Sequence, residues 1–284
     1  MLVSGDDKGV VQVCDLATGN PVGASFIGHT CPVRALAVGM LEGPHRTAVI
    51  SGDDQGVVRV IDLATGSPVG APFTVGNPPV RAVAIAVSNG RPTAITGNDK
   101  GEFEMCDLAT GYQLEIDGTI PFPNIFVGAV AIGEHAGRPI AVTSDHNGVV
   151  RVRDPVTGAR VGAPPAGGTR SMTAVTVGMV EGRSAVIGGD DEGVVRIWDL
   201  ATGVAASNPL VGHTDEIRAV SVGALNGHSV VVSGSRDCTV RVWDAATGEC
   251  RQVIRLGVTI SSVTKPLNNL VAIGHSSGVT TLRF

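Results

Sequence analysis

The segment SGDDKGVVQVCDLATG, starting at Ser4, is rewritten along the whole chain. It returns as SGDDQGVVRVIDLATG from Ser51, TGNDKGEFEMCDLATG from Thr96, TSDHNGVVRVRDPVTG from Thr143, GGDDEGVVRIWDLATG from Gly188 and SGSRDCTVRVWDAATG from Ser233. A shortened copy, IGHSSGVTTLRF, begins at Ile273. Successive starts are 47, 45, 47, 45, 45 and 40 residues apart. Such a period means one small supersecondary unit repeated, each unit burying its apolar face against its neighbours. The sequence therefore predicts a single array of seven units over residues 1–284.

Each unit reads as strand. VVRVI and VVRIW are β-branched runs bounded by turn residues, and no segment keeps an i, i+3, i+4 apolar pattern. A second apolar run, such as TAVIS at Thr47 or SVVVS at Ser229, precedes each and joins it through a short turn. That turn carries Gly9, Gly56, Gly101, Gly148, Gly193 or Gly278, where positive φ is cheapest for glycine. The next turn, D-x-x-T-G, recurs at Asp15, Asp62, Asp107, Asp154, Asp199 and Asp244; its aspartate is placed to accept backbone N–H bonds. A fourth strand (PVGASF, PVGAPFTV) follows, then an Ala-rich strand such as VRALAVG or IRAVSVG opens the next unit. The prediction is an all-β, seven-unit β-propeller of four-stranded antiparallel blades.

In that frame the first unit lacks its innermost strand and the last its outermost, so 26 strands are expected where seven complete blades need 28. The expectation is a fragment of a longer chain or a start placed late, with strands donated by a partner as the competing reading.

The sixth copy carries GH at Gly212 and His213, then Ser233, Asp237, and WD at Trp243 and Asp244. With these residues the chain resembles the WD40-repeat family. The resemblance implies that His213, Ser233, Asp237 and Trp243 form a buried hydrogen-bonded tetrad that stiffens the blade. Elsewhere the pattern departs: Cys14, Ile61, Cys106, Arg153 and Arg283 stand in the Trp position, and Lys8, Gln55, Lys100, Asn147, Glu192 and Ser277 in the Asp position. Those blades are expected to rely on Val and Ile packing. His29 keeps the GH signature, with incomplete partners expected. The resemblance also implies a protein or peptide partner and an effector domain ahead of the array in a full-length bacterial chain.

Arg34, Arg81 and Arg218 begin three of the Ala-rich strands, with Gly128, Thr173 and Ser261 in the equivalent places. By resemblance that position lies near the channel mouth, on the face bearing the acidic hairpin turns. Arg34, Arg81, Arg218, Asp53, Asp54, Asp190 and Asp191 are therefore the candidate interaction face, since arginine grips carboxylates bidentately.

Other chemistry finds little support. GHSSG, Gly274 to Gly278, matches the G-x-S-x-G nucleophile elbow, but that elbow needs a strand followed by a helix. Here another strand follows, and Ser276 aligns with the turn residues Asp7, Asp54, Asp99, His146, Asp191 and Arg236. Adjacent aspartates offer too few oxygens for calcium, so they read as solvated turn carboxylates with no metal. No phosphate-cradling loop occurs, so no nucleotide or other cofactor is expected. A net charge of −5 argues against nucleic acid, and no apolar run approaches the length of a membrane span. Five cysteines without a C-x-x-C pair favour free thiols and a cytoplasmic location. Only three of 21 basic residues are lysine, a bias that points to a GC-rich bacterial genome. The reading is a noncatalytic interaction scaffold or sensing module. The alternatives are an enzyme with its pocket at the channel mouth and a self-assembling structural scaffold.

Overall fold

The computed structural model describes residues 2–284 except 16–19, 21, 23–25, 42–45, 76–78, 89–90, 99, 101–102, 109, 111, 115–126, 156, 164, 166–169, 267–268 and 276–277. Among the described residues there is no helix, and 23 strands form seven small antiparallel sheets in chain order. The first holds β1 (Leu2–Gly5), β2 (Val10–Cys14) and β3 (Phe26–Ile27). The second holds β4 (Val33–Met40), β5 (Thr47–Asp53), β6 (Val57–Asp62) and β7 (Phe73–Thr74). The third comprises β8 (Val80–Ser88), β9 (Arg91–Asn98) and β10 (Phe103–Asp107), and the fourth β11 (Val127–His135), β12 (Arg138–Asp145) and β13 (Val150–Arg153). Then come β14 (Met172–Val180), β15 (Arg183–Asp190) and β16 (Val195–Asp199). The sixth sheet has β17 (Ile217–Leu225), β18 (His228–Ser235), β19 (Thr239–Asp244) and β20 (Cys250–Arg255); the seventh has β21 (Ile260–Val263), β22 (Leu270–His275) and β23 (Gly278–Arg283).

The outermost strands differ from expectation. Six were predicted, but among the described residues only β3, β7 and β20 are strands, and two of these have two residues. Elsewhere the outer segment makes single bridges, such as Arg153 with Arg160 and Trp198 with Ala205. Proline breaks the outer segments PVGASF and PVGAPFTV of the first two units and has no N–H to give a ladder, whereas CRQVIR contains neither proline nor glycine. CRQVIR alone makes a six-residue strand, β20.

The strands gather into two compact units. One contains the first three sheets, the other the last three, and the β11–β13 sheet is divided between them. In both, the second strand of a sheet is its most buried element; β15 and β18 are buried at every residue after the second. Burying such a Val or Ile side chain contributes about 1.5–3 kcal/mol. Successive sheets dock through glycine. A Cβ on Gly52 would lie 2.4 Å from Val80, and one on Gly189 or Gly234 2.3 Å from Ile217 or Ile260. The glycine of the S-G-D stretch is thus the slot into which the next sheet's inner strand presses a branched side chain.

Two kinds of turn recur among the described residues. The hairpin after the second strand places Gly56, Gly148 and Gly193 at φ of 84, 77 and 86°. Between first and second strands, the pairs Ala136–Gly137, Glu181–Gly182 and Asn226–Gly227 all have positive φ, the tight turn that matches strand twist.

Candidate functional site

In the β17–β20 sheet one hydrogen-bonded chain runs from the indole to a carboxylate. Trp243 Nε1 donates to Ser233 Oγ at 2.8 Å, Ser233 Oγ meets His213 Nε2 at 2.8 Å, and His213 Nδ1 meets Asp237 Oδ2 at 2.8 Å. Since Asp237 takes the Nδ1 proton, Nε2 accepts from the serine hydroxyl, and every polar atom has a partner. Thr239 Oγ1 and the Thr214 N–H also bond Asp237, at 2.7 and 3.1 Å. Burial raises the Asp237 carboxyl, but hydrogen bonds from Thr239, His213 and Thr214 outweigh it and bring the pKa down to about 2. Burial lowers His213, against the raising effect of Asp237. Ser–His–Asp connectivity is also that of a hydrolase triad. Here Ser233 is fully buried and its oxygen is held by Trp243, so Oγ has no access to a substrate.

The β4–β7 sheet holds a related cluster that sequence reasoning missed. His29, whose set of partners was expected to be incomplete, lacks the tryptophan, since Ile61 stands there, but has two partners: Nδ1 bonds Asp53 Oδ2 at 2.9 Å and Nε2 bonds Ser51 Oγ at 2.7 Å. Asp53, assigned to the interaction face, is 1% exposed and cannot contact a partner. Asp190, assigned likewise, is 0% exposed. Asp6, the first of the Asp6–Asp7 pair, follows β1 and is exposed, whereas Asp53 and Asp190 are buried because each is the last residue of its strand, β5 or β15, and points inward. Each Oδ1 accepts two turn N–H groups, those of Gln55 and Val57 at Asp53 and those of Glu192 and Val194 at Asp190. These two aspartates are structural clasps, not solvated carboxylates.

What grips the second oxygen varies. His29 grips Asp53, whereas Arg196 grips Asp190 at 2.6 Å and Arg151 grips Asp145 at 2.8 Å. The β11–β13 and β14–β16 sheets, which lack the signature histidine, are thus held by ion pairs as well as by Val and Ile packing. Where histidine takes the aspartate, the equivalent arginine turns elsewhere. Arg59 lies over Gly28 and Arg241 over Gly212, each close enough to exclude a Cβ, and Arg241 also stacks 5.8 Å from the Trp243 ring. The glycine of the GH pair is the floor beneath that guanidinium. A recurring separation of 24 residues from histidine to its aspartate is the signal that could have found the second cluster.

The D-x-x-T-G aspartates cap their turns: Asp62 Oδ1 accepts from Ala64 and Thr65 N–H, and Asp244 Oδ1 from Ala246 and Thr247. The Arg46 hydrogen bond leads in lowering the Asp62 carboxyl below its ordinary pKa; the Thr202 N–H does so at Asp199 and the Thr247 N–H at Asp244. Ser276 lies outside the described residues, but β22 and β23 flank it and pair directly at His275 and Gly278, so a strand follows the turn.

The exposed charges sit on a regular irregularity. Pairing of inner and second strands slips between Val33 and Ala35, Val80 and Ala82, and Ile217 and Ala219, leaving Arg34, Arg81 and Arg218 as bulge residues. Arg34 bridges Asp7 at 3.0 Å and Asp54 at 2.9 Å, and Arg81 reaches Asp54 at 4.0 Å. This row lies in the first unit. In the second, Glu216 sits between Arg218 and Arg236, at 3.1 and 3.0 Å, so the charge order is inverted. Asp191 is exposed there, with its N–H donating to Ser171 O. The structure brings Arg34, Arg81 and Asp54 together, and removes Asp53 and Asp190 from the surface.

The cysteines are free thiols, and burial with the nearby Glu104 charge pushes Cys106 up to about 11. Among the described residues no three His, Cys, Asp or Glu side chains converge as a metal site, and no helix is long and apolar enough to cross a membrane.

Residues 206–244 match the family model described as WD domain, G-beta repeat. No curated protein matches the sequence. Among solved structures, the computationally designed Ika8 protein, a propeller, is similar over 99% of this chain and 80% of its own, with 25% identity and a TM-score of 0.70. The match supports a β-propeller fold. The family match spans the signature cluster from His213 to Trp243, and so covers the sixth of the seven sequence repeats.

Proposed function

We propose that this chain is a noncatalytic protein-interaction or sensing module of WD40 type, its seven sheets acting as the seven units of one propeller. The observation that carries this reading is the row Asp7–Arg34–Asp54–Arg81. Strand bulges present charged side chains that are between a third and four-fifths exposed, on a framework whose inner carboxylates are already bound. Exposed pairs of this kind contribute little to folding, so their groups are cheap to recruit for a partner. The His213–Ser233–Asp237–Trp243 cluster stiffens its own sheet, β17–β20, where Arg218 with Glu216 and Arg236 offers a second, inverted charge pattern. Arg34→Ala/Arg81→Ala, compared with the wild-type chain in affinity capture from the native host, is expected to lose its protein partner while keeping its fold. Equal recovery of every partner by both would overturn the assignment of this row.

A further inference from the structure

We propose that Asn226–Gly227 is a site of spontaneous backbone modification, at which Asn226 deamidates to aspartate and isoaspartate with Asn269 assisting. The chain has a second described Asn-Gly pair, Asn147–Gly148, and the two differ at the attacking nitrogen and at the side-chain amide. The nucleophile is the backbone nitrogen of the glycine. At Gly148 that nitrogen donates to Asp145 O at 3.0 Å and the residue is buried, while the Asn147 N–H is tied to Asp145 Oδ1 at 2.9 Å. Gly227 is exposed, no atom would crowd even an added Cβ, and its N–H donates no hydrogen bond among the described residues.

The electrophile is also prepared. The Asn226 N–H donates to Asn269 Oδ1 at 2.9 Å, which fixes the orientation of the Asn269 amide. Asn269 Nδ2 therefore donates, at 2.5 Å, to Asn226 Oδ1. As Gly227 N attacks Cγ, negative charge gathers on that oxygen, where a donor already stands. The new bond is Gly227 N–Cγ and the broken bond is Cγ–Nδ2; the glycine proton leaves with the departing amide nitrogen as ammonia. Water then opens the five-membered imide at either carbonyl, giving aspartate or isoaspartate without any oxidant or reductant. Aspartate keeps an acceptor for Asn269. Isoaspartate adds a backbone carbon to a two-residue turn, and so breaks the tie between the β17–β20 and β21–β23 sheets.

The test is a tryptic mass map of the folded protein aged at mildly alkaline pH, scored for the gain of about 1 Da at each asparagine. Asn226 should convert about tenfold faster than Asn147 in the folded chain, because attack at Gly148 first requires local opening of a hydrogen-bonded turn. The two should approach parity in denaturant. Asn269→Asp, which keeps the acceptor for the Asn226 N–H and deletes the donor, should slow Asn226 severalfold and leave Asn147 unchanged; circular dichroism verifies its fold. Conversion at Asn226 no faster than at Asn147, or unaltered by Asn269→Asp, would overturn the proposal.

Discussion

Sheets β14–β16 and β17–β20 succeed one another in sequence and satisfy the same hairpin turn with different chemistry. In the first, Asp190 binds two turn N–H groups and the guanidinium of Arg196. In the second, Ser235 stands where Asp190 would, and the carboxylate comes two residues later from Asp237, gripped by neutral His213. The β4–β7 sheet combines the two, with the early aspartate of one and the histidine of the other. The difference teaches that an inward carboxylate is shared by the β4–β7, β11–β13, β14–β16 and β17–β20 sheets, while histidine and arginine are alternative grips on it; Asn98 and His275 stand at that place in the third and seventh sheets. A neutral imidazole leaves no net charge to be lost with its partner; a buried guanidinium does.

That contrast makes the arginine-gripped sheet the more fragile to loss of its carboxylate. Asp190→Ala strands Arg196 and two turn N–H groups in the interior, and should cost about 3–5 kcal/mol in urea denaturation. Ser233→Ala in the histidine-gripped sheet leaves the Trp243 indole N–H and His213 Nε2 unmatched, for about 1–3 kcal/mol. Gly188 occupies the same place in β15 with no hydroxyl, so a cost near zero would show that Ser233 is equally dispensable.

Titration distinguishes the two grips further. The folded pKa of His213 is lowered from 6.5, so folding favours the neutral ring. Its contribution is complete above 6.5 and declines as pH falls below it, by at most about 1.4 kcal/mol per pH unit for one proton. The Asp237 carboxyl, held at about 2 against 3.8, loses its contribution only between those values. Denaturation midpoints should therefore fall between pH 7 and 5 in the wild type and flatten in His213→Gln. The smallest effect belongs to the exposed row: Arg34→Ala should change stability by less than about 1 kcal/mol while abolishing partner capture.

Much of this was legible in the sequence, because repetition averages over local ambiguity: seven copies of one short apolar run, six of them preceded by a turn glycine, specify short antiparallel strands. The capping role of Asp62 or Asp244 followed from its place in a turn. What escaped was side-chain direction. Asp53 and Asp54 are adjacent letters of like charge, yet one ends a strand facing inward and the other begins the turn facing water. Nor does sequence alone show that Gly52 or Gly189 serves a neighbouring sheet, since the residue each accommodates lies 28 positions away.

The central claim is that, in the four sheets that have one, an inward aspartate and its grip close the hairpin as a coupled pair. A double-mutant cycle of Asp190→Asn and Arg196→Met, followed by equilibrium denaturation, measures it directly. A coupling energy of about 1.5 kcal/mol or more is predicted, with the double variant more stable than Asp190→Asn alone. Additive effects within about 0.5 kcal/mol would contradict the account.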